Sequence, residues 1–336
     1  MGRVFGSLKV MLPVLCIGIL VGCAGDSPLP PGDFPEEGEP VSLSFDLFRG
    51  TETRAVENGQ MAAGKMFRIY AYPAGTTNFS APTGSENYIV QSDLTATGNL
   101  KLYRGTYDMY LVSYNSSTEV PVLESGDSKI HVVNGKDFMY TKLENVVVQP
   151  DQTGQSMMKV TLPGPFTRMG AQVITTVAAK NGVQPVQPVG LVVNYVKING
   201  LYGELLYRLN SAVWDAVTGA ATDASYTFDG SGFSANTGPN VFGQRKSAPG
   251  VLLPVDGSVQ KLQFDVNLTV SYYEGDQLKT MTDMYKASIE KSLLAGMAYQ
   301  FDFTLTFYGA IIPTDLTLAI REWTTTKLTG EELGKD

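Results

Sequence analysis

From residue 41 the chain alternates apolar and polar positions with a period of two rather than 3.6. Val41, Leu43, Phe45 and Leu47 fall on one side and Ser42, Ser44 and Asp46 on the other, which describes a strand with one buried face. The same reading predicts strands over 67–72, 100–103, 107–114, 129–133 and 143–148. A polar stretch, 149–156, separates these from a second set. There Phe264, Val266, Leu268, Val270 and Tyr272 alternate with Asp265, Asn267, Thr269 and Ser271, and Glu274-Gly275-Asp276 turns the chain back as a hairpin. Phe301, Phe303, Leu305 and Phe307 repeat the alternation, as do Leu316, Leu318 and Ile320. The fold class is all-β, with two tandem antiparallel β-sandwiches over 41–155 and 156–336. Two places break the regularity. Residues 201–217 have a loose apolar pattern that leaves room for a short helix. Residues 218–250, dominated by Gly, Ala, Ser, Thr and Asn, read as a long surface loop, either functional or disordered.

The segment before residue 41 is for targeting rather than folding. Arg3 and Lys9 precede an apolar stretch over 11–22 that is too short to span a bilayer as a helix, so 1–22 reads as a signal peptide. Its end, Leu20-Val21-Gly22-Cys23, resembles the lipobox of bacterial lipoproteins, in which the Cys thiol takes a diacylglycerol. Cys16, the other cysteine, lies inside the discarded stretch, so the mature chain has no internal disulfide. A lipid on Cys23 places the protein on an outer membrane. Residues 23–40 carry prolines and the acids Asp26, Asp33, Glu36, Glu37 and Glu39 with almost nothing to bury, and form an acidic Pro-rich tether.

Composition narrows the chemistry. Among 336 residues, 35 glycines, 18 prolines and 32 tyrosines and phenylalanines suit many short strands joined by turns. The net charge of −8, with no basic run, removes the driving force for nucleic-acid binding. His131 is the only histidine, and alternation sets it opposite Ile130 and Val132, on the solvated side of its strand. Zinc sites and Ser-His or Cys-His nucleophiles therefore lack their parts. Gly59 to Met66 nearly spells a phosphate-binding loop, but Met66 stands where a magnesium-binding hydroxyl belongs. No cofactor or metal is called for, and the chain does not read as an enzyme. Exposed Trp214, Trp323 or tyrosines would serve a surface glycan-binding lipoprotein as stacking platforms, the alternative reading.

Several motifs in order along the chain carry a resemblance. They are the lipobox, the acidic tether, the strand over 41–48 and Thr53-Arg54-Ala55, then Gly105-Thr106-Tyr107 and Arg168-Met169-Gly170-Ala171-Gln172-Val173. Leu252-Leu253-Pro254, Ala295-Gly296-Met297-Ala298-Tyr299 and Trp323 complete the series. Together they resemble the fimbrillins of the Bacteroidetes, subunits of the type V pilus. The resemblance implies two transthyretin-like sandwiches, export as a lipoprotein, trimming by an Arg-specific protease and head-to-tail polymerisation with other fimbrial subunits by strand exchange. It also implies adhesion to a host or bacterial surface receptor. Arg54, in the polar stretch 51–55, is the first choice for the cut and Arg49 the second. Cutting there removes 41–54 and vacates the groove held by Val41, Leu43, Phe45 and Leu47. Leu316, Leu318 and Ile320 have the spacing to refill a neighbour's groove. One departure bears on this: residues 324–336 offer only Leu328 and Leu333 as large apolar groups, a poor donor strand. Either the donor is 316–323, or the chain is a tip or anchor subunit.

Overall fold

The computed structural model describes residues 38–48, 61–124, 126–150, 156–180, 187–215, 223–234, 243–255, 261–306, 321–322 and 326–327. The strands of the first half are β1 (Val41–Asp46), β2 (Met66–Pro73), β3 (Gly84–Val90), β4 (Thr95–Thr97), β5 (Lys101–Leu102), β6 (Gly105–Ser113), β7 (Lys129–Val133) and β8 (Met139–Val148). Next come β9 (Met157–Thr161), β10 (Thr167–Arg168), β11 (Ala171–Lys180), β12 (Gln187–Leu201), β13 (Glu204–Arg208), β14 (Val213–Trp214) and β15 (Ala224–Asp229). A 3-10 turn, Gly230–Gly232, precedes β16 (Arg245–Lys246), β17 (Gly250–Leu252), β18 (Lys261–Glu274), β19 (Gln277–Glu290), β20 (Met297–Thr306), β21 (Arg321–Glu322) and β22 (Thr326–Lys327). The all-β class read from the alternation is what the chain adopts.

The first sandwich is one sheet of order β10-β8-β6-β2-β3-β4-β1-β5, with β9 added on β1. Residues from both of its arms share a single core, so the sheet curls over on itself. β2 and β6 explain this: Phe67, Ile69, Ala71, Met109 and Leu111 point into that core, while the intervening Tyr70, Tyr72, Tyr110 and Val112 belong to a second cluster on the outer face. The second sandwich packs β16-β11-β20-β21, with β17 and β22 attached, against β15-β12-β18-β19 around its own core, where Phe264 lies 5.0 Å from Phe301 and 5.2 Å from Phe303. Among the described residues the strand pairs are antiparallel except β1–β9 and β11–β20, which are parallel.

Three sequence expectations change. The polar stretch 149–156 does not end the first sheet, because β9 pairs with β1 and β10 with β8; the change of sheet falls between Arg168 and Ala171. A polar loop between strands of one sheet has the same composition as a linker. The helix allowed over 201–217 is replaced by β13 and β14, a hairpin with Leu205 and Tyr207 buried. The loop expected over 218–250 contains β15, paired with β12, and β16 and β17, paired with β11. β15 buries only Phe228, and β16 and β17 are two and three residues long, so no run of alternation marks them.

β13 also joins the halves of the molecule. It pairs with β7 from Glu204↔Val133 to Arg208↔Lys129, and the small sheet β14-β13-β7 covers the aromatic outer face of β2, β6 and β8. Tyr140 donates to Leu209 O at 3.1 Å, and Phe138 packs on Tyr207 at 4.9 Å. Arg168 Nε bonds Asp137 at 3.0 and 3.2 Å just before β11 begins. Burial pushes the Tyr140 and Tyr207 phenols far above their ordinary range.

On the exposed side of this joint His131 lies between Glu124, against Nε2, and Glu204, 3.3 Å from Nδ1. The hydrogen bond to Glu124 raises its pKa above the ordinary histidine value; partial burial opposes this and Glu204 reinforces it. A raised folded pKa means the native state holds the proton longer than the unfolded chain. The stability that His131 supplies is therefore complete below about pH 6.5 and lost as pH rises through the folded pKa. Urea unfolding of the parent should weaken across that window, and His131→Ala should remove this part of the slope. An unchanged slope in the variant would show that the pair contributes nothing, as many exposed pairs do.

Candidate functional site

β1 alternates Ser and Asp with Val, Leu and Phe, so one face can be wholly apolar while the other stays wet. Val41, Leu43, Phe45 and Leu47 are at most 3% exposed, all inside the first core. On the other face Ser44 Oγ donates to Met158 O at 3.4 Å, and Lys159 pairs with Asp46 at 2.7 Å.

The pairing of β1 is two-sided. On one side it runs antiparallel to β5 (Val41↔Leu102) and β4 (Phe45↔Ala96). On the other it runs parallel to β9 from Ser42↔Met157 to Asp46↔Thr161. Backbone hydrogen bonds confirm both edges: Leu43 N donates to Leu100 O at 2.9 Å and Leu47 N to Leu94 O at 2.8 Å, while Ser42 N donates to Ser156 O at 2.8 Å and Leu162 N to Asp46 O at 2.9 Å. Among the described residues β9 has no other strand partner. Without β1 two strand edges would lose their partner, that of β9 and that of β4 and β5.

Tyr88 of β3 anchors the strand from inside the core. Its hydroxyl donates to Leu43 O at 2.8 Å and accepts from Leu100 N at 3.1 Å, so one side chain ties β1 to the segment entering β5. The ring meets Phe45 edge-on at 5.1 Å and stacks on Phe67 at 5.5 Å. Gly98 makes room for it, since a Cβ there would lie 2.6 Å from the ring. Burial pushes the phenol up to about 12, against the lowering effect of the Leu100 N–H, so the hydroxyl stays a donor at any working pH. Tyr88 escaped the sequence reading because 84–90 is mostly polar; the alternation of Tyr88 with Val90 is its only signal.

Leu47, Phe48 and Met61 line one apolar recess with Leu162, Gly164, Pro165 and Phe166. The chain therefore leaves the sandwich after β1 and re-enters it at the same end. Arg49 and Arg54 fall in the intervening stretch and, like Cys23, Leu316, Leu318, Ile320 and Trp323, lie outside the described residues. Trp214 is half-buried rather than freely exposed. Its indole donates to Met169 O at 3.1 Å and packs on Tyr207 at 5.0 Å and Phe138 at 5.8 Å, within the joint between the halves.

A family model described as fimbrillin-like matches residues 53–323. None of the curated proteins compared with the sequence matches it. Among solved structures, a candidate cell adhesion protein from Bacteroides fragilis is similar, with 16% identity and a TM-score of 0.53 over 85% of this chain and 99% of that one. A candidate cell adhesion protein from Parabacteroides distasonis has 10% identity and a TM-score of 0.48 over 85% and 96%. The fimbrial anchor protein Mfa2 from Porphyromonas gingivalis has 11% identity and a TM-score of 0.39 over 84% and 96%. At these identities the likeness concerns the fold.

Tyr88→Phe should test the anchor. The change keeps the ring packing but leaves the buried Leu100 N–H without its acceptor, a loss of about 1–3 kcal/mol. The urea midpoint should fall with the slope unchanged. An unaltered midpoint would show that the hydroxyl does not hold β1.

Proposed function

The chain belongs to the fimbrillin-like family, and from that premise we propose that it is a structural subunit of a cell-surface fimbria that supports adhesion, with β1 as a removable strand occupying its assembly groove. In this reading the chain is exported as a lipoprotein through Cys23, held off the outer membrane by the acidic tether, and cut by an Arg-specific protease at Arg54, or at Arg49. Release of 41–54 vacates the places of Val41, Leu43, Phe45 and Leu47, each worth about 1.5–3 kcal/mol when buried. A strand from the next subunit refills them by β-augmentation, with Leu316, Leu318 and Ile320 as candidates for the alternate pockets. The contact is head-to-tail, so repetition gives a filament.

The observation that carries the proposal is the position of β1. An apolar strand is paired on both sides and buried on one face, yet it is continuous with a polar stretch holding two arginines. An incoming strand would gain hydrogen bonds to β9 and to β4 and β5 together, more than an ordinary edge supplies. While β1 stays, the groove is filled in cis and assembly waits for the cut. The glycan-binding alternative draws less support from Trp214, which is half-buried and has its indole N–H and ring engaged by Met169, Tyr207 and Phe138.

The test uses the double variant Arg49→Ala/Arg54→Ala beside the parent, each exposed to an Arg-specific protease and run on a gel without boiling. The parent should form a ladder of polymers, and the variant should remain a lipid-anchored monomer. A synthetic peptide of residues 41–48 added to the cut parent should shorten the ladder. Ladders of equal length from both proteins would contradict removal of β1 as the trigger.

A further inference from the structure

The hairpin of β18 and β19 ends the second sandwich with an unusually bare strand. From Gln277 to Met284 every residue of β19 is exposed except the half-buried Met281, and among the described residues β19 pairs only with β18. Leu278 and Met284 are 45% and 44% exposed. A long edge of this kind is a template for another strand.

The hairpin geometry fixes which groups face outward. Glu274 and Gln277 close the turn as a pair, so the N–H and C=O groups of Gln277, Lys279, Met281 and Asp283 point to β18. Those of Leu278, Thr280, Thr282 and Met284 point away from the sheet. Met284 N accordingly bonds its neighbour's side chain, Asp283 Oδ1, at 2.7 Å instead of β18.

We propose that this edge pairs with the same edge of a second copy of the chain, antiparallel and centred on Met281. A two-fold axis perpendicular to the sheet keeps like faces together, so each residue must meet one of the same parity. Centring on Met281 sets Leu278 against Met284 of the second copy, Lys279 against Asp283 and Thr280 against Thr282, and the axis repeats each pair. Both exposed apolar side chains are then covered by each other, and both charges near the centre meet their opposites. Asp283 releases the Met284 N–H, which the second copy's backbone takes, and turns to the second copy's Lys279. That lysine gives up its present partner Glu274 across the turn. The contact is isologous and closes as a dimer. It lies in the second sandwich, away from β1, so it would join two subunits or two filaments side by side without using the groove.

The shift of centre to Ser288 is the competing register, since it sets Lys286 against Glu290. Disulfide trapping in the full chain on cells separates the two. Met281→Cys places identical residues in a non-hydrogen-bonded pair about 4.5 Å apart, within disulfide reach. It should give a cross-linked dimer that neither the parent, with Cys16 and Cys23, nor Ser288→Cys gives. Adding Lys279→Asp or Asp283→Lys to Met281→Cys should cut the yield about tenfold, since each variant sets two like-charge pairs across the axis. Co-expressing the two should restore the yield, because the mixed dimer regains both ion pairs, and that rescue also shows that both variants fold. No dimer from Met281→Cys above the parent, an equal or higher yield from Ser288→Cys, or no rescue on co-expression would each overturn the proposal.

Discussion

β9 and the β4–β5 side of the first sandwich are joined through β1. That strand supplies hydrogen bonds to both neighbours and the innermost aliphatic and aromatic side chains of one layer. A strand at the rim of a sheet can leave at the cost of one ladder. A strand between two others leaves two rows of unpaired backbone groups and an apolar trench, which water fills unfavourably. The first half of the molecule is thus a closed sandwich only while something lies in the place of β1.

The remainder of the structure limits what such a loss would disturb. The strands β8, β6 and β2 are covered on their inner face by the core and on their outer face by the aromatic cluster beneath β7, β13 and β14. Tyr70 donates to Pro121 O at 3.2 Å and accepts from Leu123 N at 3.0 Å, and Asn134 holds Tyr202 O at 2.7 Å and Leu253 N at 2.9 Å. The Tyr70 bonds brace β2 within the first half and the Asn134 bonds tie the two halves together, neither touching β1. The proposed loss of β1 would leave these bracing contacts in place.

How much of this was legible in the sequence follows from how each element is buried. β1, β7, β18 and β20 each have one face in a core and one in solvent, so their alternation is plain. The motif Arg168 to Val173 was visible too, and it acquires a physical meaning: Arg168 bonds Asp137, and Ala171 and Val173 open the second core. β13 and β14 were hidden because their alternation is short and the strand on which β13 pairs, β7, lies more than seventy residues away in the other half. β15 was hidden because an edge strand with one buried residue reads like a loop. The role of β9 was hidden because strand order is not written in composition. Of β1 and its surroundings, the buried face was readable from period two, whereas Tyr88 and the second edge needed the register.

Hydrogen exchange along β9 and the segment that follows it tests the account most directly. The amide of Leu162, which donates to Asp46, and the β9 amides facing β1 should be protected in the uncut chain. They should exchange orders of magnitude faster in trimmed monomer, and regain protection in polymer, while the amides of β2 and β6 stay protected throughout. Protection of the β9 edge in trimmed monomer, or its continued exposure in polymer, would contradict the claim that one strand's place in the first sandwich is emptied and refilled.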